Sequence, residues 1–250
     1  LMQQRLSRLA QLREQDPLAM QMIRGFHIEG PFISPTDGFR GAHPLDSVLP
    51  ATVDAMKSLL DATQGLTKLV TLAPEHDENM QTTKLLAKQG ITVSAGHCDA
   101  SLDQLKAGID AGLSMFTHLG NGCPGVMARH DNVVQRALSL GDQLWLCFIA
   151  DGVHVPMFAL KNYFDSVGLN RCIVVTDAIT PAGLGPGTYT LSRWTLKIGE
   201  DLAARSHDGS HLVGSAISMP RVIDNLQKHL GLTQTQINQL ICTNPNRAIK

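Results

Sequence analysis

Residues 91–119 read ITVSAGHCDASLDQLKAGIDAGLSMFTHL, and this stretch decides the fold. Two short apolar runs, ITVSAGH and LSMFTHL, carry a histidine at or next to their end, His97 and His118. Between them Ser101 and Gln104 form a capping box, and Leu102, Leu105 and Ile109 make an apolar stripe at helical spacing. A strand, a helix and a second strand joined by short loops argue for a parallel sheet.

The same pattern extends in both directions. RGFHIEG (24–30), KLVTLAPE (68–75), LCFIADGVH (146–154) and CIVVTDA (172–178) bring the apolar runs to six, each closing on Glu, His or Asp. Near-continuous apolar strands predict a sheet covered on both faces. Charged residues at the strand ends suit the carboxyl rim of a parallel barrel. Helices are predicted over 2–15, 78–89, 101–111, from Pro156 to Gly168, and over 218–230 and 234–243. After Asp177 the text changes: GLGPGTYTLSRWTLKIGE (183–200) alternates with period two, predicting a β-hairpin insertion over about 184–214. Between the first and second runs lies a proline- and glycine-rich loop, PFISPTDGFRGAHP (31–44), of a length that commonly carries function.

The formal net charge is −1, with no Lys/Arg run to attract nucleic acid or an anionic membrane. No apolar run approaches the ~20 residues that cross a bilayer. The five cysteines are odd in number, scattered and never spaced C-x-x-C, which predicts reduced thiols and a cytoplasmic protein. The chain starts inside a predicted helix and stops just after another, so it reads as a piece of a longer protein, with residues 1–250 forming one partial catalytic domain.

Glu29, His97 and His118 form a plausible metal set: one oxygen and two nitrogen donors leave a position open for water, as catalytic zinc sites do. Asp177 ends an apolar strand, where a carboxylate is costly unless paired or poised for proton transfer, and is the candidate general base and acid. His154 is placed to polarise a substrate carbonyl, with Asp151 fixing its loop. Glu75, in a Pro-Glu-His turn, stays outside the metal set. The glycines at 183, 185 and 187 precede a strand, so they lack the helix N-terminus of a phosphate cradle.

HIEGPFISPTDGFRGAHP (27–44), TLAPE (71–75), SAGH (94–97), THLGNG (117–122), IADGVH (149–154), VTDA (175–178) and LVGSAISM (212–219) together resemble the N-acetylglucosamine-6-phosphate deacetylases of the amidohydrolase superfamily. The resemblance extends over nearly the whole chain and implies an α/β fold, a (β/α)8 TIM barrel with about six of its eight strands present. The family's small β-domain and first two barrel strands have no counterpart in the chain. It further implies that Glu29, His97 and His118 bind a divalent ion, zinc or iron, and that Asp177 shuttles the proton. His154 would orient the acetamide, His43 would touch the sugar, and Asn121 and Gly122 would meet the substrate through their backbone. Arg129 would grip the phosphate, in the family often across a homodimer interface. It keeps its place in MARHDN (127–132), where the family usually has His-His-Arg-Glu-Pro-Gly. The implied reaction is metal-dependent deacetylation of a small amino-sugar phosphate. The alternatives are a deaminase or cyclic amidase of the same superfamily, or an inactive binding remnant.

Overall fold

A computed structural model describes residues 1–191 and 194–249. Six strands form one parallel sheet in chain order: β1 (Phe26–Glu29), β2 (Thr67–Leu72), β3 (Thr92–Ala95), β4 (Leu113–Phe116), β5 (Trp145–Ile149) and β6 (Cys172–Val175). Helices α1 (Met2–Gln15) and α2 (Pro17–Met22) precede β1. Helices α3 (Val53–Ala62), α4 (Gln81–Lys88), α5 (Leu102–Asp110), α6 (Val133–Leu138) and α7 (Met157–Val167) fill the five crossovers. This is a curled half-barrel, consistent with an incomplete TIM barrel. Its strand count agrees with the six punctuated runs.

Alternation along β5 shows how both faces are covered. Leu146 and Phe148 join the large core, together with Leu105 of α5, Val134 of α6 and Leu160 of α7. Trp145 and Cys147 point the other way, packing with Met115, Ile173 and Ala248. The second cluster is closed by the last helix, α10 (Asn244–Ala248), whose Ala248 carbonyl accepts from Thr92 Oγ1 at 3.1 Å. Burying one such Leu or Phe side chain stabilises the fold by roughly 1.5–3 kcal/mol.

Both residues of the α5 capping box make their bonds: Ser101 Oγ accepts from the Gln104 amide, and the Ser101 amide donates to Gln104 Oε1. The segment expected to be helical over 78–89 instead begins as a 3-10 turn, Glu78–Met80, because Asn79 and Met80 take left-handed backbone angles before α4 starts. The helix expected over 234–243 is divided into α9 (Gln234–Asn238) and a π turn, Gln239–Thr243, leading into α10.

The insertion after β6 is larger than a hairpin. Strands β7 (Gly187–Leu191), β8 (Trp194–Ile198), β9 (Ala203–Ser206) and β10 (Leu212–Ser215) form a four-stranded antiparallel sheet around Leu196, Ile198, Ala204 and Val213. The first hairpin carries the period-two signal, although Ser192 and Arg193 of that reading lie outside the described residues. Four-residue strands such as β9 and β10 are too short to show a period. The sheet is tied back to the half-barrel where Ser215 and Asp177 meet: the Ser215 amide donates to the Asp177 carbonyl at 3.1 Å, and the Ile179 amide to the Ser215 carbonyl at 2.9 Å. From β10 the chain enters α8 (Met219–Leu230), which returns to the helical layer through Val222 and Leu226. No described helix is long and apolar enough to cross a membrane.

A candidate metal centre

Glu29 is the last residue of β1, and His97 and His118 lie two residues beyond the ends of β3 and β4. Both histidines turn out of the strand with positive φ, +52° and +32°, and Asp177, two residues past β6, has φ +50°. Non-glycine residues rarely adopt such angles, and they persist where the surrounding structure demands them. Of seven such residues among those described, three are candidate site residues at strand ends.

The three donors converge. Glu29 Oε1 lies 3.0 Å from His97 Nε2 and 2.8 Å from His118 Nε2, and the two Nε2 atoms are 3.0 Å apart. His97 Nδ1 is 2.9 Å from the Phe39 carbonyl in the 31–44 loop. A carbonyl only accepts, so Nδ1 carries the proton and Nε2 offers a lone pair. A carboxylate oxygen and a fixed imidazole lone pair, with a second imidazole nitrogen beside them, suit a shared cation. Without an ion the electrostatics express the same convergence through protons. Burial pushes the Glu29 carboxyl up, but the His118 and His97 imidazoles beside it outweigh that and hold it well below the usual carboxylate range. Burial opposes charge on His118, yet the Glu29 hydrogen bond and the charges of Glu29 and Asp177 raise its pKa. The donor set therefore fits a divalent ion.

Other expected residues gather around this cluster. The His43 ring stands edge-on to His97 with centroids 4.7 Å apart. Burial, reinforced by His97, pushes its pKa down to about 4, so at neutral pH it is an uncharged hydrogen-bonding group. Asn121 donates both its amide and Nδ2 to the His118 carbonyl, at 2.9 and 3.2 Å. Gly122 (φ +57°) packs against both imidazoles: a Cβ there would stand 2.8 Å from His97 Nδ1 and 3.2 Å from His118 Cε1. Glu29 and His43 also line a cleft of about 710 Å³ together with Pro31, Phe32 and Ile33.

His154 is held by Asp151, whose Oδ2 accepts from His154 Nδ1 at 2.6 Å while Oδ1 accepts the Val153 and His154 amides at 2.9 and 2.8 Å. Asp151 thus fixes the loop and also orients the imidazole. The i, i+3 spacing of Asp and His in DGVH is the signal for the second role. Arg129 is exposed on the loop after β4. Glu75 Oε1 accepts the Asp99 amide at 2.6 Å, which is turn chemistry away from the donor cluster.

A half-barrel with a carboxylate and two imidazoles converging at its carboxyl rim has the donor arrangement of a metal centre. No family model matches the chain. It is 32% identical over 231 residues to N-acetylglucosamine-6-phosphate deacetylase of Bacillus subtilis, covering 92% of the chain and 57% of that protein. It is 28% identical over 244 residues to N-acetylgalactosamine-6-phosphate deacetylase of Escherichia coli O157:H7, covering 98% and 63%. In structure it is similar to N-acetyl-D-glucosamine-6-phosphate deacetylase from Mycobacterium smegmatis, a mutant of which was solved with N-acetyl-D-glucosamine-6-phosphate. There the TM-score is 0.87 at 28% identity, over 99% of this chain and 64% of that one. The corresponding enzyme from Thermotoga maritima gives a TM-score of 0.79, also at 28% identity. The chain is thus similar to N-acetyl amino-sugar-phosphate deacetylases, and it spans about 57–64% of the length of these first relatives.

Proposed function

We propose that this protein hydrolyses the acetamide of N-acetylglucosamine-6-phosphate, or of a closely related N-acetyl amino sugar, to the amino-sugar phosphate and acetate. The observation that carries the reading is the convergence of Glu29 Oε1, His97 Nε2 and His118 Nε2 within about 3 Å of one another at the carboxyl rim. Glu29, His97 and His118 would hold a divalent ion, zinc or iron, which when bound would supply a water acidified to ionise near neutral pH and a Lewis acid for the acetyl oxygen.

The remaining steps belong to the chain's own side chains. Asp177 takes the proton of the attacking water and returns it to the departing sugar amine. Its backbone is held by Ser215, whose amide donates to the Asp177 carbonyl. His154 Nδ1 donates to Asp151, which fixes the ring, and His154 orients and polarises the acetamide. His43 contacts the sugar as a neutral imidazole, and the backbone of Asn121 and Gly122 lines the reacting end. Arg129 serves the phosphate, within one chain or across a homodimer. The five cysteines are unpaired, which supports a cytoplasmic setting.

The test is amine release from N-acetylglucosamine-6-phosphate, N-acetylgalactosamine-6-phosphate, unphosphorylated N-acetylglucosamine and a cyclic amide, each with and without added zinc. Metal-dependent release from the phosphosugars is expected. Turnover of the cyclic amide in their place would overturn the reading.

A further inference from the structure

A line of hydrogen-bonded polar side chains runs across the strands that carry the donor cluster, and the proposed chemistry does not use it. His27 Nε2 is 2.8 Å from Thr71 Oγ1, Thr71 Oγ1 is 2.7 Å from Thr117 Oγ1, and Thr117 Oγ1 is 2.6 Å from Ser94 Oγ. Ser94 Oγ in turn donates to the Ala95 carbonyl at 3.3 Å. Each hydroxyl has one proton, so this end fixes every direction: Thr117 donates to Ser94, Thr71 to Thr117, and His27 Nε2–H to Thr71.

The line crosses β1, β3 and β4, whose ends carry the donors, and β2 between them, which carries none. His27 is two residues before Glu29, on the same face of β1. Ser94 is in β3, three residues before His97, and Thr117 immediately precedes His118. Thr71, in β2, is the register partner of Glu29 on one side and of Ser94 on the other. Thr71 and Thr117 come from strands that are not neighbours, and they meet only because Gly96 lies between them. A Cβ on Gly96 would stand 2.7 Å from Thr71 Cγ2 and 3.0 Å from Thr117 Cβ. Thr71 and Ser94 are wholly buried and Thr117 nearly so. A valine at each position would fill the space without the cost of burying a hydroxyl.

We propose that His27, Thr71, Thr117 and Ser94 are positioning residues: a one-directional hydrogen-bonded brace that locks β1, β3 and β4 together and so holds Glu29, His97 and His118 at metal-binding separation. The brace touches neither substrate nor ion and acts through the backbone of the donors. This inference rests on the donor set being a metal site.

The experiment measures zinc affinity of the full chain by competition with a chromophoric chelator, beside circular dichroism to confirm folding. Thr117→Val, which keeps shape and removes the hydroxyl, should weaken zinc binding by roughly 10–100-fold, the range seen when groups supporting metal ligands are lost. Thr117→Ser should restore it to within about threefold of the unsubstituted chain, since the hydroxyl is what matters in that range. Should Thr117→Val fail to fold, His27→Leu decides, because His27 ends the line and joins it through one part-buried hydrogen bond, to Thr71. It should weaken zinc binding while His27→Gln, which retains an N–H donor, does not. Zinc affinity unchanged in both Thr117→Val and His27→Leu would overturn the brace, as would failure of Thr117→Ser to rescue. An unsubstituted chain that takes up no zinc would remove the metal site and the brace with it. Zinc uptake that responds to Thr117→Val, without acetamide hydrolysis, would uphold the brace and overturn the deacetylase reading alone.

Discussion

Asp177 is held in the left-handed region (φ +50°) at the end of a strand, with its carbonyl bonded to Ser215. In the proposed mechanism Asp177 transfers the proton, so Asp177→Asn should reduce amide hydrolysis by ~10²–10⁴-fold, the usual worth of a general acid–base, and leave zinc uptake unchanged. Near-full turnover in that variant at saturating zinc would remove Asp177 from the mechanism. Asp151 does a different job. Burial pushes its carboxyl up, but the His154 hydrogen bond and the Val153 and His154 amides more than offset this and lower its pKa. A carboxyl lowered on folding stabilises the fold above its unfolded value of 3.8, and that contribution is lost as pH falls through the folded value. Asp151→Asn should therefore cost about 1–3 kcal/mol at pH 7, the usual penalty for disrupting a buried charged hydrogen bond, and flatten the loss of stability below about pH 4. Urea unfolding at pH 7, 5 and 3.5 reads both effects. A variant whose stability fell with acid as steeply as that of the parent would show that the pair is not what titrates. Residue identities at strand ends were legible in the sequence because buried strands tolerate charge only where they surface. The His27–Thr71–Thr117–Ser94 line was not, because threonine and serine inside apolar strands look like neutral filler until neighbouring strands bring them together.

At the scale of elements, legibility followed the strength of local signals. Helix α1 spans Met2–Gln15, matching the amphipathic pattern, and α5 lies where its capping box placed it. Helices α3 and α6 carry weaker local signals. The six residues of α6 are too few to display a period, and α3 follows a long irregular loop. The four-stranded sheet was visible only through its first hairpin, since the pairing of β9 with β8 and β10 is a non-local choice. The α5 box also gives a measurement: Ser101→Ala removes the hydroxyl that accepts the Gln104 amide and should cost about 1 kcal/mol. Helix α5 lies in the crossover between the strands that precede His97 and His118, so the cost should appear in thermal unfolding. The spacing of the two histidines is set by strand pairing, and zinc affinity should stay within about twofold. A tenfold change, ~1.4 kcal/mol of binding energy, would mean that the helix, rather than the sheet, places the donors.

Across the whole molecule, the proposed metal site links distant parts of the chain. Its donors come from residues 29, 97 and 118 on three strands of one sheet, so an ion bound there opposes separation of β1 from β4. The unfolded chain has no such preformed site, and binding free energy therefore adds to folding free energy. With free zinc at about 100 times its Kd the gain is ~2.7 kcal/mol. For a chain of this length that corresponds to roughly 5–10 °C in Tm. Thermal scans in zinc and in excess chelator should differ by that amount. In Glu29→Gln the two scans should coincide, because the neutral amide removes the only anionic donor of the set. A zinc-dependent shift that survived in Glu29→Gln would place the ion elsewhere on the protein. A shift that vanished there while Thr71, Thr117 and Ser94 remained intact would locate the stabilisation at the rim of the half-barrel, where the strand-end charges first pointed.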